Sequence, residues 1–165
     1  MIVMKLDPIP GDCKIKALKD YLTVSSVSWE LTREFSDSGK MGTADINMGM
    51  TDMPPITVGK SMDIGSCDLM QNAISGKSMG TAEIKFIAQQ GTDQKEPMTF
   101  LEFKLNNAIV ASWSIDGSED DRPSENVTLW YHKIWMQYTP YDGGKAGTKI
   151  ARGWDRIENV AWNGK

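Results

Sequence analysis

This chain of 165 residues holds one histidine, two cysteines and no long apolar run. The lone imidazole, His132, excludes metal sites and catalytic devices that need two or more histidines. Cys13 and Cys67 stand far apart and lack the neighbours of a metal motif, so two free thiols are expected, as suits a reducing compartment. No apolar segment approaches the roughly 20 residues that carry a helix across a bilayer. The opening Met1–Asp7 reads as a strand, and not as a charged stretch followed by an apolar signal core. A cytoplasmic protein is expected, or one exported by a machine that needs no cleavable signal. Positive charge is also short: 18 Lys and Arg face 22 Asp and Glu, the net charge is −4, and no long basic run occurs. That balance argues against a nucleic-acid partner.

Signals of chemistry are scarce as well. Glu119, Asp120 and Asp121 form an acidic cluster, but without the glycine and spaced oxygen ligands of a calcium loop. Asp37–Gly42 and Asp142–Gly147 are glycine-containing turns that fail the spacing of a phosphate-binding loop. His132 lies inside a strand pattern, where a packed or interface histidine is expected, and Cys67 is expected to be a small buried side chain. No catalytic residue, metal site or cofactor is expected, and the chain is not read as an enzyme.

What the chain does contain is period-two alternation. Strands are expected at Ile2–Leu6, Leu22–Arg33, Ile56–Met62, Thr81–Ala88, Met98–Leu105, Ala108–Ile115 and Thr148–Asp155. Asn106-Asn107 is expected to close a tight hairpin, since Asn tolerates positive φ. One helix is expected, at Ser66–Ser75, with Ser66 as N-cap, Asp68 near the positive end of the dipole and Gly76 ending it. The fold class is therefore mainly β, a barrel or sandwich of two antiparallel sheets with one short helix, in a single domain over residues 1–165. Between Ser36 and Pro55, turn residues surround a possible short ribbon, Thr43–Met50. This segment is read as a protruding hairpin that carries Met41, Met48, Met50 and Met53.

Six Trp and eleven Met stand out, because both types favour protein–protein contacts. Ser124–Tyr138 is read as one long strand. Val127, Leu129, Tyr131 and Trp135 lie on one parity, and Trp130, Ile134, Met136 and Tyr138 on the other. Successive strand side chains point to opposite faces, so a strand apolar on both needs two covers. One cover is the core of its own domain; the other is a helix, a second sheet or another copy of the chain. If the second cover is another copy, Trp130, His132, Trp135 and Tyr138 are the expected contact residues.

The ordered series of segments resembles the haemolysin-coregulated protein (Hcp) family, the tube protein of bacterial type VI secretion systems. The resemblance runs through Ile9-Pro-Gly-Asp12, Ser25-Ser-Val-Ser-Trp-Glu30, Lys60-Ser-Met-Asp-Ile-Gly-Ser66, Gly76-Lys77 and Phe100-Leu-Glu-Phe103. It continues through Ala108-Ile-Val-Ala-Ser-Trp113, Glu125-Asn-Val-Thr-Leu129, Lys133-Ile-Trp-Met-Gln-Tyr138 and Gly153-Trp-Asp155. The family usually has Ser-Pro where this chain has Ser66-Cys67, and Gly where it has His132. The resemblance implies a two-sheet β-barrel with one flanking helix, six-membered rings that stack into a hollow tube, and expulsion without a signal peptide toward a neighbouring cell. It also implies sheath and spike components as partners and small effector proteins carried in the lumen. Some family members carry a C-terminal toxin domain; none is expected here, because the chain stops ten residues after Asp155. Met41, Met48, Met50 and Met53 would then mediate contact between stacked rings.

A second function fits the composition: a monomeric carbohydrate-binding β-sandwich whose Trp29, Trp113 and Trp162 stack on sugars. A third is a small hydrolase with paired carboxylates on its sheet.

Overall fold

In a computed structural model, residues 1–37, 46–88, 97–119, 121–142 and 145–164 are described, with backbone alone for 34–37 and 46–50. Met41 and Asp120 lie outside the described residues. The strands are β1 (Ile2–Leu6), β2 (Leu22–Val24), β3 (Ser26–Ser28), β4 (Thr32–Asp37), β5 (Ile46–Asp52) and β6 (Ile56–Ser61). The helix α1 (Ser66–Ser75) follows, then β7 (Thr81–Ala88), β8 (Met98–Asn106), β9 (Ile109–Asp116), β10 (Ser124–Trp130) and β11 (Lys133–Tyr138). The last are β12 (Tyr141–Asp142), β13 (Lys145–Ala146), β14 (Ile150–Asp155) and β15 (Val160–Ala161).

Two antiparallel sheets form a sandwich. One has seven strands in the order β15-β14-β11-β8-β7-β1-β2, the other four in the order β3-β6-β10-β9. Among the described residues the end strands of these sheets do not pair with each other, so no ladder closes a barrel. The core between the sheets takes Met4, Leu6, Ile84 and Leu105 from the longer sheet, and Ile56, Val58, Val127 and Leu129 from the shorter. β4 and β5 form a separate two-stranded ribbon that takes in Thr51 and Asp52, beyond the expected Thr43–Met50, of which residues 43–45 lie outside the described residues.

The helix has the expected bounds, with Leu69 buried and Ala73 packed against the core. Gly76 follows in the left-handed region at φ 62°, where a Cβ would be strained, and donates its N–H to Asn72 O. Ser66 is not the N-cap, which is Gly65. Its hydroxyl turns back to accept the Asp63 N–H at 2.8 Å, while Asp63 Oδ1 accepts the Gly65 N–H at 2.9 Å.

Three expectations about the strands are corrected. Ser124–Tyr138 is two strands, not one: β10 belongs to the four-stranded sheet and β11 to the seven-stranded, with Tyr131 and His132 at the corner. Each half points one parity into the same core, which accounts for most of its apolar residues; Trp135, on the opposite face of β11, is buried as well, beside Gly164. Leu22–Arg33 likewise breaks at Ser25 into β2 and β3, one in each sheet, and resumes as β4 in the ribbon. Asn106-Asn107 closes no hairpin, because β8 pairs with β7 and β11 whereas β9 pairs with β10. Asn107, at φ 53°, instead turns the chain from one sheet to the other. β1 is likewise covered on both faces. Met4 and Leu6 enter the main core, while Val3 packs on the opposite face with Cys13, Leu18 and Ile87.

Candidate functional site

The unequal strand counts shape the surface. A four-stranded sheet cannot cover a seven-stranded one, and the strands at the β15 end overhang. The alternation of β11 and β14 continues past the core onto this overhang. Ile134 opposes Trp154, Met136 opposes Arg152 and Tyr138 opposes Ile150, so these side chains share one face. Ile134 is buried, but Met136, Tyr138, Ile150 and Trp154 are 40%, 49%, 58% and 39% exposed. This is the core-side face of the long sheet, running out beyond its cover. A contiguous exposed apolar face marks an interaction surface where scattered single residues do not.

The four residues expected at a neighbour contact do not gather on this face. Tyr138 lies on it. Trp130 and His132 sit together at the corner between the sheets, their rings edge to face at 4.7 Å. Arg156 spreads over that corner, its guanidinium 5.3 Å from the Trp130 ring and 5.4 Å from the Tyr131 ring. Backbone bonds close it: His132 N–H donates to Asn106 O at 3.0 Å, and Arg156 N–H donates to His132 O at 3.0 Å. The two inter-sheet corners are thereby tied to each other.

Trp135 points to the opposite face of the long sheet and is 9% exposed within its own chain. Lys104 Nζ lies 5.2 Å above its ring, and Gly164 sits so close that an added Cβ would stand 2.8 Å from it. Gly153 permits the close approach of the C-terminal strand on that side, since a Cβ there would meet Trp162 O at 2.6 Å. Beside Trp135, Lys133 and Asp155 pair at 2.6 Å. The Lys133 ammonium holds the Asp155 carboxyl below its ordinary range, helped by the Glu158 and Ile157 N–H groups, and the carboxylate in turn raises Lys133.

Of the methionines expected at ring stacking, Met53 is 8% exposed and belongs to the core of its own chain. Met48 and Met50 lie on the ribbon strand β5. Of the cysteines, Cys13 is buried but Cys67 is exposed, against expectation, because it falls on the outer side of α1.

The aromatic residues of the sugar-binding alternative are engaged elsewhere. Trp29 packs against the core, donates its Nε1–H to the Tyr131 hydroxyl at 2.9 Å and meets Phe103 edge-on. Trp113 also packs against the core, with its Nε1 buried. Neither presents the open ring that sugar stacking requires. No cluster of three or more His, Cys, Asp or Glu able to hold a metal occurs among the described residues.

Of this uncovered face, the sequence marks the Met136 and Tyr138 parity but not Ile150 and Trp154. Its signal is the apolar parity of Met136 and Tyr138 repeated in Ile150 and Trp154, visible only once β11 and β14 are known to pair.

Comparison with known proteins agrees with this architecture. The family described as "Type VI secretion system effector, Hcp" matches residues 3–138. Protein hcp1 of Pseudomonas aeruginosa is 34% identical over 104 residues. That alignment covers 61% of this chain and 62% of the relative, so the chain spans less than two thirds of that protein's length. The solved structure of a type six secretion system protein has a TM-score of 0.87 at 29% identity, covering 98% of each chain. Hcp1 from Salmonella typhimurium has a TM-score of 0.76 at 21% identity, covering 98% of this chain and 97% of its own, a likeness of fold.

Proposed function

Because this chain belongs to the Hcp family of type VI secretion proteins, we propose that it is the structural subunit of a secretion tube. Six copies close into a ring, rings stack into a hollow tube, and the tube is expelled toward a target cell. Its role is mechanical and not catalytic. Its partners are further copies of itself, sheath and spike components of the same system, and small effector proteins seated in the lumen. It leaves the cytoplasm through the secretion machine itself and not by a cleavable signal. No described helix is long and apolar enough to cross a membrane.

The family match over residues 3–138 carries this reading. The uncovered face of β11 and β14 supports it physically. Closed rings use heterologous contacts, in which one surface meets a different surface on the next copy. An apolar sheet face left open by its own chain supplies one of the two. Each standard-sized contact hides on the order of 800 Å² per partner. Association costs absorb much of the gain from that area, so single contacts are weak and closure, which gives each copy two neighbours, holds the ring. The ribbon β4–β5 is proposed for ring-on-ring contact, through Met48 and Met50.

Negatively stained images of the purified protein test the proposal. Annular particles with sixfold symmetry are expected. Featureless particles of single-chain size, at concentrations where related rings assemble, contradict it.

A further inference from the structure

A ring needs two complementary surfaces on every copy, and the sheet overhang is only one of them. Another exposed apolar surface lies on α1. Cys67, Met70 and Ile74 are spaced three and four residues apart, which places them along one side of the helix. Cys67 is exposed, Met70 is 41% exposed and Ile74 is 80% exposed, with Ile64 open just before the helix. This stripe borders the buried side that carries Leu69 and Ala73. The apolar face of α1 is thus broader than its own chain covers.

The two surfaces differ in shape and in charge, as a heterologous contact requires. One is the ridge of a helix; the other is the face of a twisted sheet, onto which helices commonly pack. Between Ile64 and Gly76 the only charged residue is Asp68, whereas residues 148–154 hold Lys149 and Arg152 and no acid. Arg152 is exposed on the sheet face, between Ile150 and Trp154. The outer face of the four-stranded sheet is a poor complement. Its middle presents Ser26, Ser28, Thr57, Ser112, Asn126 and Thr128, with the charged Asp116 at one end and Trp130 at the other.

We infer that the exposed stripe of α1 on one copy seats on the overhanging face of β11 and β14 on the next. This assignment rests on the ring reading and specifies which surfaces meet. It makes α1 a cross-subunit element, and it explains why the helix carries large apolar residues on its outward side.

The native Cys67 provides the test. In the full chain, Ile150→Cys places a second thiol on the sheet face, and disulfides form only between Cα atoms about 4.4–6.8 Å apart. After light scattering has established the assembled particle, mild oxidation with diamide should give a ladder of cross-linked chains on a non-reducing gel. The ladder should collapse with reductant and be absent when Cys67→Ser is added. Met136→Cys and Trp154→Cys cover neighbouring positions, so one misplaced thiol does not decide the result, and Ser114→Cys on the four-stranded sheet serves as control. Rings that assemble while all three sheet positions cross-link no faster than the control overturn this contact and leave the ring reading standing. An unmodified protein that forms no ring overturns both.

Discussion

The charged cluster beneath α1 yields a prediction whose size follows from the geometry. Lys60 and Glu125 are each 1% exposed. Lys60 Nζ lies 2.9 Å from Glu125 Oε2 and 3.0 Å from Asp63 Oδ1. It also donates to Ser61 O at 2.9 Å and to Ser66 Oγ at 3.4 Å. One buried cation therefore serves two carboxylates, and it ties β6 and β10 to the entry of the helix. The two partners are not equivalent. Glu125→Leu leaves Lys60 with Asp63, a carbonyl and a hydroxyl. Lys60→Met removes the partner of Glu125 Oε2, and Oε1 already has no hydrogen-bond partner among the described residues. Breaking one side of a buried pair costs about 3–5 kcal/mol, so Lys60→Met belongs at the upper end and Glu125→Leu at the lower. At about 2–4 °C per kcal/mol for a chain of this size, Lys60→Met should lower Tm by roughly 10–20 °C and Glu125→Leu by roughly 6–12 °C. Replacing both groups with apolar ones removes the unpaired charge, so the double variant should melt above Lys60→Met alone. The assay is calorimetry of the three variants at one fixed protein concentration, because assembly also shifts Tm. The reasoning is refuted if Glu125→Leu is the more damaging single change, or if the double variant loses the sum of the two.

Further outcomes follow from the same structure. The folded Asp155 carboxyl is held down first by Lys133, so its contribution is present above the ordinary carboxylate pKa and fades as pH falls through that range. Lys133 is raised by the same contact, so the pair also weakens as pH rises past the ordinary lysine range. Asp155→Asn should therefore flatten the acid limb of a stability–pH curve, and an unchanged limb would count against the pairing. Trp135→Ala should lower stability by about 3 kcal/mol, the smaller end for a buried aromatic, because its cover is a C-terminal segment able to relax; urea titration reads this, and an unchanged midpoint would show that the ring is not packed as described. Met48→Asp with Met50→Asp should leave ring mass unchanged but reduce filament length under crowding, measured by electron microscopy. Filaments of normal length would remove the ribbon from the stacking contact.

Much of the architecture was legible in the chain. The first strand, the helix and β7 have the expected bounds, since alternation and a left-handed Gly76 mark them locally. What the pattern hid was the passage between sheets. At Ser25 and at Tyr131–His132 the chain changes sheet without a glycine or proline, and apolar alternation runs through the bend unbroken. Tyr131 makes the corner look like strand because it is fully buried there, with its hydroxyl donating to Pro54 O at 3.0 Å. The candidate contact surface was hidden for a different reason. Whether Met136 or Ile150 is covered depends on how many strands each sheet has, a property of the whole topology and not of any segment. Exposure of Cys67 likewise depends on which side of α1 the core takes, and Leu69 and Ala73 settle that only in the folded chain.

The account's central claim is that the apolar surface this chain leaves open is hidden by further copies of the same chain. Sedimentation equilibrium across a wide concentration range measures that most directly. A particle of about six times the chain mass, dissociating only on dilution and losing mass when Ile150 and Trp154 are changed to Asp, is the predicted result. A single-chain mass at every concentration would contradict it.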